Sequence, residues 1–289
     1  MAFKYPQFLV ETGWLADHLN DTDIRVLDCT AFNLPDGNGG IRAESGRESW
    51  ESEHIPSSGH ADLVNDLSDK NADFRYMLPA VSQFAQAMSG YGVGAGTQVV
   101  LYDSTSGSWA TRIWWMLRVF GFDDAYILDG GLHKWKLENR PLSTELPAYP
   151  SAIFHAKPRT GLMADRSEVL SAIDDGATCV INALSSDQHL GIGGANYGRA
   201  GRIADSVNVP AGDLMDPVTH AYRSADQLAG RFSDVGANAE SRVIAYCGGG
   251  IAASNDAFIL TLLGYENVAV YDASMSEWAA DSSLPMQTG

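Results

Sequence analysis

The chain has 289 residues, 45% of them hydrophobic, and carries 36 acidic against 19 basic side chains, a formal net charge of −17. That size and hydrophobic content suit one large domain or two ordinary ones with buried cores, and the averaged negative surface repels both nucleic acid and anionic membranes. The first residues lack the apolar core of a secretion signal, and no stretch approaches the roughly 20 apolar residues of a membrane span, so a cytoplasmic location with no nucleic acid or membrane partner is expected.

In chain order, the first strong element is Ile24-Arg25-Val26-Leu27-Asp28, directly followed by Cys29. Short apolar runs of this kind have the look of buried parallel strands. The next, Val99-Val100-Leu101-Tyr102-Asp103, leads through small residues into a helical pattern from Ala110 to Phe120, with Gly121 as its C-cap. Ile127-Leu128-Asp129 and then Trp135 complete the first half. Pro141, Pro147 and Pro150 follow in a stretch without helical period, which reads as a linker. The expected division is a first domain over 1–145, a linker over 146–158 and a second domain over 159–289.

The second half repeats these elements. Thr178-Cys179-Val180-Ile181-Asn182 matches 24–28, and Val243-Ile244-Ala245-Tyr246-Cys247 stands 144 residues after Val99 to Asp103. A helical pattern from Ala252 to Leu263 ends at Gly264, and Val270-Tyr271-Asp272 and Trp278 match Ile127 to Asp129 and Trp135 at an offset of 143. Strand, helix, strand in repetition predicts an α/β fold with two parallel sheets, each with helices on both faces.

Three cysteines, Cys29, Cys179 and Cys247, are not spaced as a metal site, and neither a metal nor an organic cofactor site is recognisable. Cys29 and Cys179 lie in predicted core strands and read as small inert hydrophobes. Cys247 differs, because it ends a predicted strand, where open α/β sheets bind their ligands. Gly248-Gly249-Gly250 and then Ile251 and Ala252 follow it. The glycines permit a tight loop with N–H groups turned inward, and the next helix aims its positive end at the same spot. Such a setting holds a thiolate and any anion attached to it. The matching position in the first half is Asp103, followed by Ser104-Thr105-Ser106-Gly107-Ser108, so only the second half is equipped for thiol chemistry.

At this point the chain resembles the tandem-domain rhodanese-like sulfurtransferases, which include thiosulfate and 3-mercaptopyruvate sulfurtransferases. The resemblance covers nearly the whole chain. It rests on Phe8 to Leu15, Trp50 with His54-Ile55-Pro56, Met77-Leu78-Pro79, Trp114 to Gly121, Leu128-Asp129-Gly130-Gly131, Ser206 to Pro210 and the Cys247 loop. It implies two rhodanese-like domains, the first inactive. Cys247 would take a sulfane sulfur from a small-molecule donor as a persulfide and pass it to cyanide, a thiol or a protein thiol, with no cofactor.

The resemblance also implies where the donor is held. Family members use arginines just upstream of the second domain's Gly-His-Ile-Pro-Gly motif, which makes Arg199 the first candidate and Arg202, in the usual histidine place, the second. His189 falls near another family arginine, and Arg75, beside the Met-Leu-Pro motif, is a further candidate. His54 matches a structural histidine, Asp272 is expected to position the loop, the four tryptophans Trp114, Trp115, Trp135 and Trp278 to pack, and the glycine-rich stretch 191–198 to form a mobile loop over the cleft. With no Arg or Lys after Cys247, the loop looks nearer to that of mercaptopyruvate enzymes than thiosulfate enzymes. It departs from the mercaptopyruvate pattern at Gly249 and Ala252, where a hydroxyl is usual, and at Tyr76, which stands in place of a histidine.

Cysteine phosphatases of the same fold need Arg six residues after the nucleophile, and that position is Ala253. The remaining alternative to an enzyme is a catalytically weak or inactive module that binds a partner or carries sulfur.

Overall fold

Both halves build the same sheet, as the sequence repeat requires. The computed structural model describes residues 2–37, 40–195 and 197–289. The first half begins with β1 (Leu9–Val10), α1 (Thr12–His18), β2 (Ile24–Asp28), β3 (Ala31–Pro35), β4 (Ile41–Ser45), α2 (Arg47–Ser52) and β5 (Ser58–His60). It continues with α3 (Val81–Gly90), β6 (Gln98–Tyr102), α4 (Ser108–Val119), β7 (Ala125–Leu128) and α5 (Gly131–Leu137). The second half begins with β8 (Met163–Ala164), α6 (Arg166–Asp175), β9 (Thr178–Asn182), α7 (Ser186–Leu190), β10 (Arg202–Ile203) and β11 (Val207–Asn208). Then come α8 (Ala225–Ser233), β12 (Arg242–Tyr246), α9 (Ile251–Leu263), β13 (Val268–Tyr271), α10 (Ser274–Trp278) and β14 (Met286–Gln287).

The first sheet has the order β1-β7-β6-β2-β5 and the second β8-β13-β12-β9-β11, with every pairing parallel. Position for position these are one topology, and the α/β architecture of two helix-flanked parallel sheets is the one predicted. Two antiparallel pairs, β3-β4 and β10-β14, are added at the margins.

Alternation along the strands shows why they read as unbroken apolar runs. Val26, Val100, Tyr102 and Leu128 face one core with Leu15, Leu132 and Trp135, while their neighbours Leu27, Val99, Leu101 and Ile127 face a second. In the other sheet, Val180, Ile244, Tyr246 and Tyr271 face an outer core, and Ile181, Val243, Ala245 and Val270 turn inward. The inward cores are one and the same, so the halves pack face to face through α4 and α9. Trp114 and Phe258 meet there edge to face at 4.8 Å. Trapped between two sheets, α9 is buried from Ala253 to Leu262, Ser254, Asn255 and Asp256 included, so its apolar residues run round the helix rather than along one stripe.

The expected packing residues do pack. Trp114, Trp115, Trp135 and Trp278 are buried, and the indoles of Trp135 and Trp278 donate to the carbonyls of Pro141 (2.8 Å) and Pro285 (3.0 Å). His54 is buried with its ring nitrogens against the carbonyls of Trp50 and Glu145. Cys29 is buried and Cys179 half-buried.

The segment between α5 and β8 is bound to the first half. The Tyr149 hydroxyl pairs with the main chain of Val26, and the N–H groups of Lys157 and Arg159 donate to the carbonyls of Phe120 (2.7 Å) and Val119 (2.8 Å). This return requires Gly121: its φ is +88°, and a Cβ there would lie 2.4 Å from the carbonyl oxygen of Lys157. Gly121→Ala is expected to cost about 1–3 kcal/mol, read as a lower denaturation midpoint at unchanged m value. An unchanged midpoint would show that the segment's docking does not depend on this turn.

Candidate active site

Cys247 immediately follows β12 and is 2% exposed. Gly250, with φ +78°, turns the chain into α9, so the sulfur stands before the positive end of that helix. The segment 274–276 holds the loop from one side. Ser274, itself at φ +51°, accepts from the Cys247 N–H (3.0 Å) and donates to the Tyr271 carbonyl (2.6 Å). The N–H of Met275 donates to the Cys247 carbonyl, and Ser276 donates to the Gly248 carbonyl from both its N–H (3.0 Å) and its hydroxyl (2.7 Å).

The first half shows what such a loop does with an anion. Gly107, at φ +72°, precedes α4 as Gly250 precedes α9. The Asp103 carboxylate accepts from the N–H groups of Thr105 (2.8 Å), Gly107 (3.0 Å), Trp109 (3.1 Å) and Ala110 (3.1 Å), and from the Thr105 hydroxyl. Counted from the turn glycine, the second-half counterparts of the last three are Gly250, Ala252 and Ala253. Among the described residues those N–H groups have no acceptor within the chain. One loop thus holds a built-in carboxylate, and its twin leaves three of the matching N–H groups without an acceptor in the loop that follows Cys247.

A buried ion pair joins the halves directly behind this loop. Arg112 of α4, fully buried, donates from Nη2 to Asp272 (2.6 Å) and to the Tyr76 carbonyl (2.6 Å). Asp272 also accepts from the Leu78 N–H (2.9 Å). A Cβ on Gly250 would lie 3.0 Å from both Arg112 Nη1 and Asp272 Oδ1. The expected positioning role of Asp272 therefore has a geometric basis, and its partner comes from the other half.

The cleft in front of Cys247 has a volume of about 370 Å³ and draws walls from both halves, including Phe32, Asn33, Tyr76, Trp109 and Tyr197. The Tyr76 hydroxyl donates to Asn33 (2.7 Å), and its ring meets Trp109 edge to face at 5.5 Å. Burial pushes Tyr76 up to about 12.

Of the residues expected to form the site, Cys247, Gly248, Gly249, Ile251 and Ala252 line the cleft, Gly250 shapes the turn behind it, and Arg75 stands exposed on the rim. Arg199 lies outside the cleft. Its guanidinium is spent on the carbonyls of Ala279, Leu284, Trp278 and Asp281, and it lines a neighbouring cavity with Met275. Those carbonyls belong to the end of α10 and the turn after it, where the last C=O groups of a helix lack intrahelical partners. Arg202 likewise turns to the Gly289 and His189 carbonyls. His189 pairs with Asn182 outside the cleft and is pushed down to about 4, mainly by burial and then by Arg202. Of the stretch 191–198, Asn196 lies outside the described residues; Tyr197 reaches the cleft.

Sequence reasoning missed Arg112, Ser274 and Tyr197. The signal for Arg112 was a charge midway along a largely apolar helix whose other cation, Arg118, falls in its last turn. For Tyr197 it was an aromatic residue in a glycine-rich loop next to a site short of hydroxyls.

Among the described residues, no helix is long and apolar enough to cross a membrane, and no group of three or more His, Cys, Asp or Glu side chains is placed to hold a metal ion. Residues 11–138 and 165–281 match the family described as Rhodanese-like domain. The chain is 31% identical to thiosulfate/3-mercaptopyruvate sulfurtransferase 2 of Arabidopsis thaliana, over 96% of this chain and 86% of that protein. It is 28% identical to the sulfur carrier protein TtuD of Thermus thermophilus, over 100% of this chain and 99% of the relative. Among solved structures, SseA from Escherichia coli, described as a 3-mercaptopyruvate sulfotransferase, matches with a TM-score of 0.79 at 27% identity, covering 92% of this chain and 98% of that one.

Proposed function

Because the chain belongs to the rhodanese-like family, we propose that it is a sulfurtransferase in which Cys247 takes the outer sulfur of a small anionic donor and passes it to a thiol or cyanide. The catalytic unit is the second domain, 159–289; the first, 1–145, is non-catalytic and supplies a wall of the cleft. With 3-mercaptopyruvate, the Cys247 thiolate attacks the donor sulfur. The carbon–sulfur bond breaks with its electron pair going to carbon, and the proton of the donor thiol ends on that carbon as pyruvate forms. With thiosulfate the sulfur–sulfur bond breaks and the pair leaves with sulfite. Either way Cys247 becomes a persulfide anion. An acceptor thiolate or cyanide then attacks the outer sulfur, and the Cys247 thiolate leaves.

The observation that carries this reading is the pair of matched loops. Asp103 fills a ring of N–H donors with its own carboxylate, whereas the donors around Cys247 are not taken up by any described group of the chain. Fixed donors in a buried place stabilise charge that develops there without reorganising.

The cleft's shortage of cations favours 3-mercaptopyruvate. With Arg199 and Arg202 turned to main-chain carbonyls, Arg75 is the one arginine among the described residues that lines the cleft, and one cation suits a monoanion better than a dianion. A charge-assisted hydrogen bond contributes about 1.5–3 kcal/mol. The kcat/KM for 3-mercaptopyruvate is therefore expected to exceed that for thiosulfate by about tenfold or more, in initial rates with cyanide and with a dithiol as acceptors. A clear preference for thiosulfate would refute the assignment.

The same shortage supports a second reading, a sulfur carrier that is loaded by another protein. It predicts a stoichiometric persulfide on Cys247 but negligible turnover with either small donor.

A further inference from the structure

The Cys247 loop lacks the hydroxyl side chain that its twin loop has at Thr105, because Gly249 and Ala252 carry none. The hydroxyls packed against the loop itself are engaged elsewhere, while Ser106 and Ser108 line the cleft from the first half. Ser274 donates to Tyr271, Ser276 to Gly248, Ser254 to Gly250 and Tyr76 to Asn33.

Tyr197 is placed differently. A Cβ on Gly248 would lie 2.0 Å from its hydroxyl oxygen and 2.3 Å from Cζ, so the phenol rests on the residue next to Cys247, in space that only glycine leaves open. Its ring lines both the Cys247 cleft and the adjoining cavity. Cys247 and Arg75 line the same cleft, so the phenol shares it with the thiol and with an exposed guanidinium. Burial above all pushes Tyr197 up to about 12, so it keeps its proton at neutral pH.

We propose that Tyr197 is a catalytic residue whose O–H donates a hydrogen bond to the sulfur in transit on Cys247, supplying from across the cleft the hydroxyl that the loop lacks. The proton stays on the phenol throughout; no bond of Tyr197 is made or broken. The inference rests on the persulfide reading above, and it makes Gly248 necessary because of Tyr197 rather than through its own backbone, whose φ is not among the positive ones.

The test is a double-mutant cycle on steady-state rates. Tyr197→Phe keeps the ring and removes only the hydroxyl; kcat is expected to fall about 10- to 100-fold, with KM changed less than about twofold and the thermal midpoint preserved. Gly248→Ala displaces the phenol by its methyl group and is expected to lose kcat comparably. The double variant should be no worse than the poorer single one, because both changes remove the same contact. A Tyr197→Phe variant within about twofold of the parent, or losses that add in full in the double variant, would overturn the role of Tyr197 alone. A parent protein that gains no sulfur on Cys247 from either donor would overturn the persulfide reading, and this inference with it.

Discussion

Replacing Cys247 with Ser is expected to lower turnover with either donor by about 10⁴-fold or more, while the thermal midpoint stays close to that of the parent. A serine hydroxyl at neutral pH is neither ionised nor polarisable enough to displace sulfur from a donor. The residue's structural contacts are made by its main chain, through Ser274 and Met275, and survive the change. The oxygen also fits where the sulfur sat, so the donors of the loop remain in place. Initial rates with both donors, set beside thermal unfolding, separate loss of chemistry from loss of fold. Substantial activity in the variant would remove Cys247 from the mechanism.

The second large effect is on stability. Arg112→Met leaves the Asp272 carboxylate in a nearly buried place with the Leu78 N–H as its remaining partner, and the Tyr76 carbonyl loses a donor. Breaking a buried pair from one side strands a charge, at about 3–5 kcal/mol. The expected result is a large drop in denaturation midpoint at unchanged m value. Adding Asp272→Asn should restore part of the loss, because no lone charge then remains while the side-chain oxygen still accepts from Leu78. Two losses that simply add would show that the guanidinium and carboxylate stabilise the halves independently.

The repeat was legible because both copies obey the same constraint: strands covered on both faces must be apolar throughout, so the matched runs at 24–28 and 178–182 stand out even where identities differ. Cys247 was legible for a local reason, a glycine run before a helix, sharpened by Asp103 at the matching place. What escaped depends on contacts distant in sequence. Arg112 is buried because two halves meet face to face, and nothing in its own helix says that its partner lies 160 residues away. Arg199 sits at a motif position that suggested donor binding, yet its guanidinium is spent on carbonyls at the end of α10 and in the turn after it. Tyr197 belongs to a stretch whose glycines carry no periodic signal, so its placement over Gly248 emerges only when the loop and the strand end are brought together.

The most direct measurement is the mass of the Cys247 peptide after incubation with 3-mercaptopyruvate and quenching without reductant. A gain of one sulfur atom on that peptide is expected, lost on addition of cyanide or a dithiol and absent from Cys247→Ser. Turnover without that gain, or a gain carried instead by Cys29 or Cys179, would contradict sulfur transfer through Cys247.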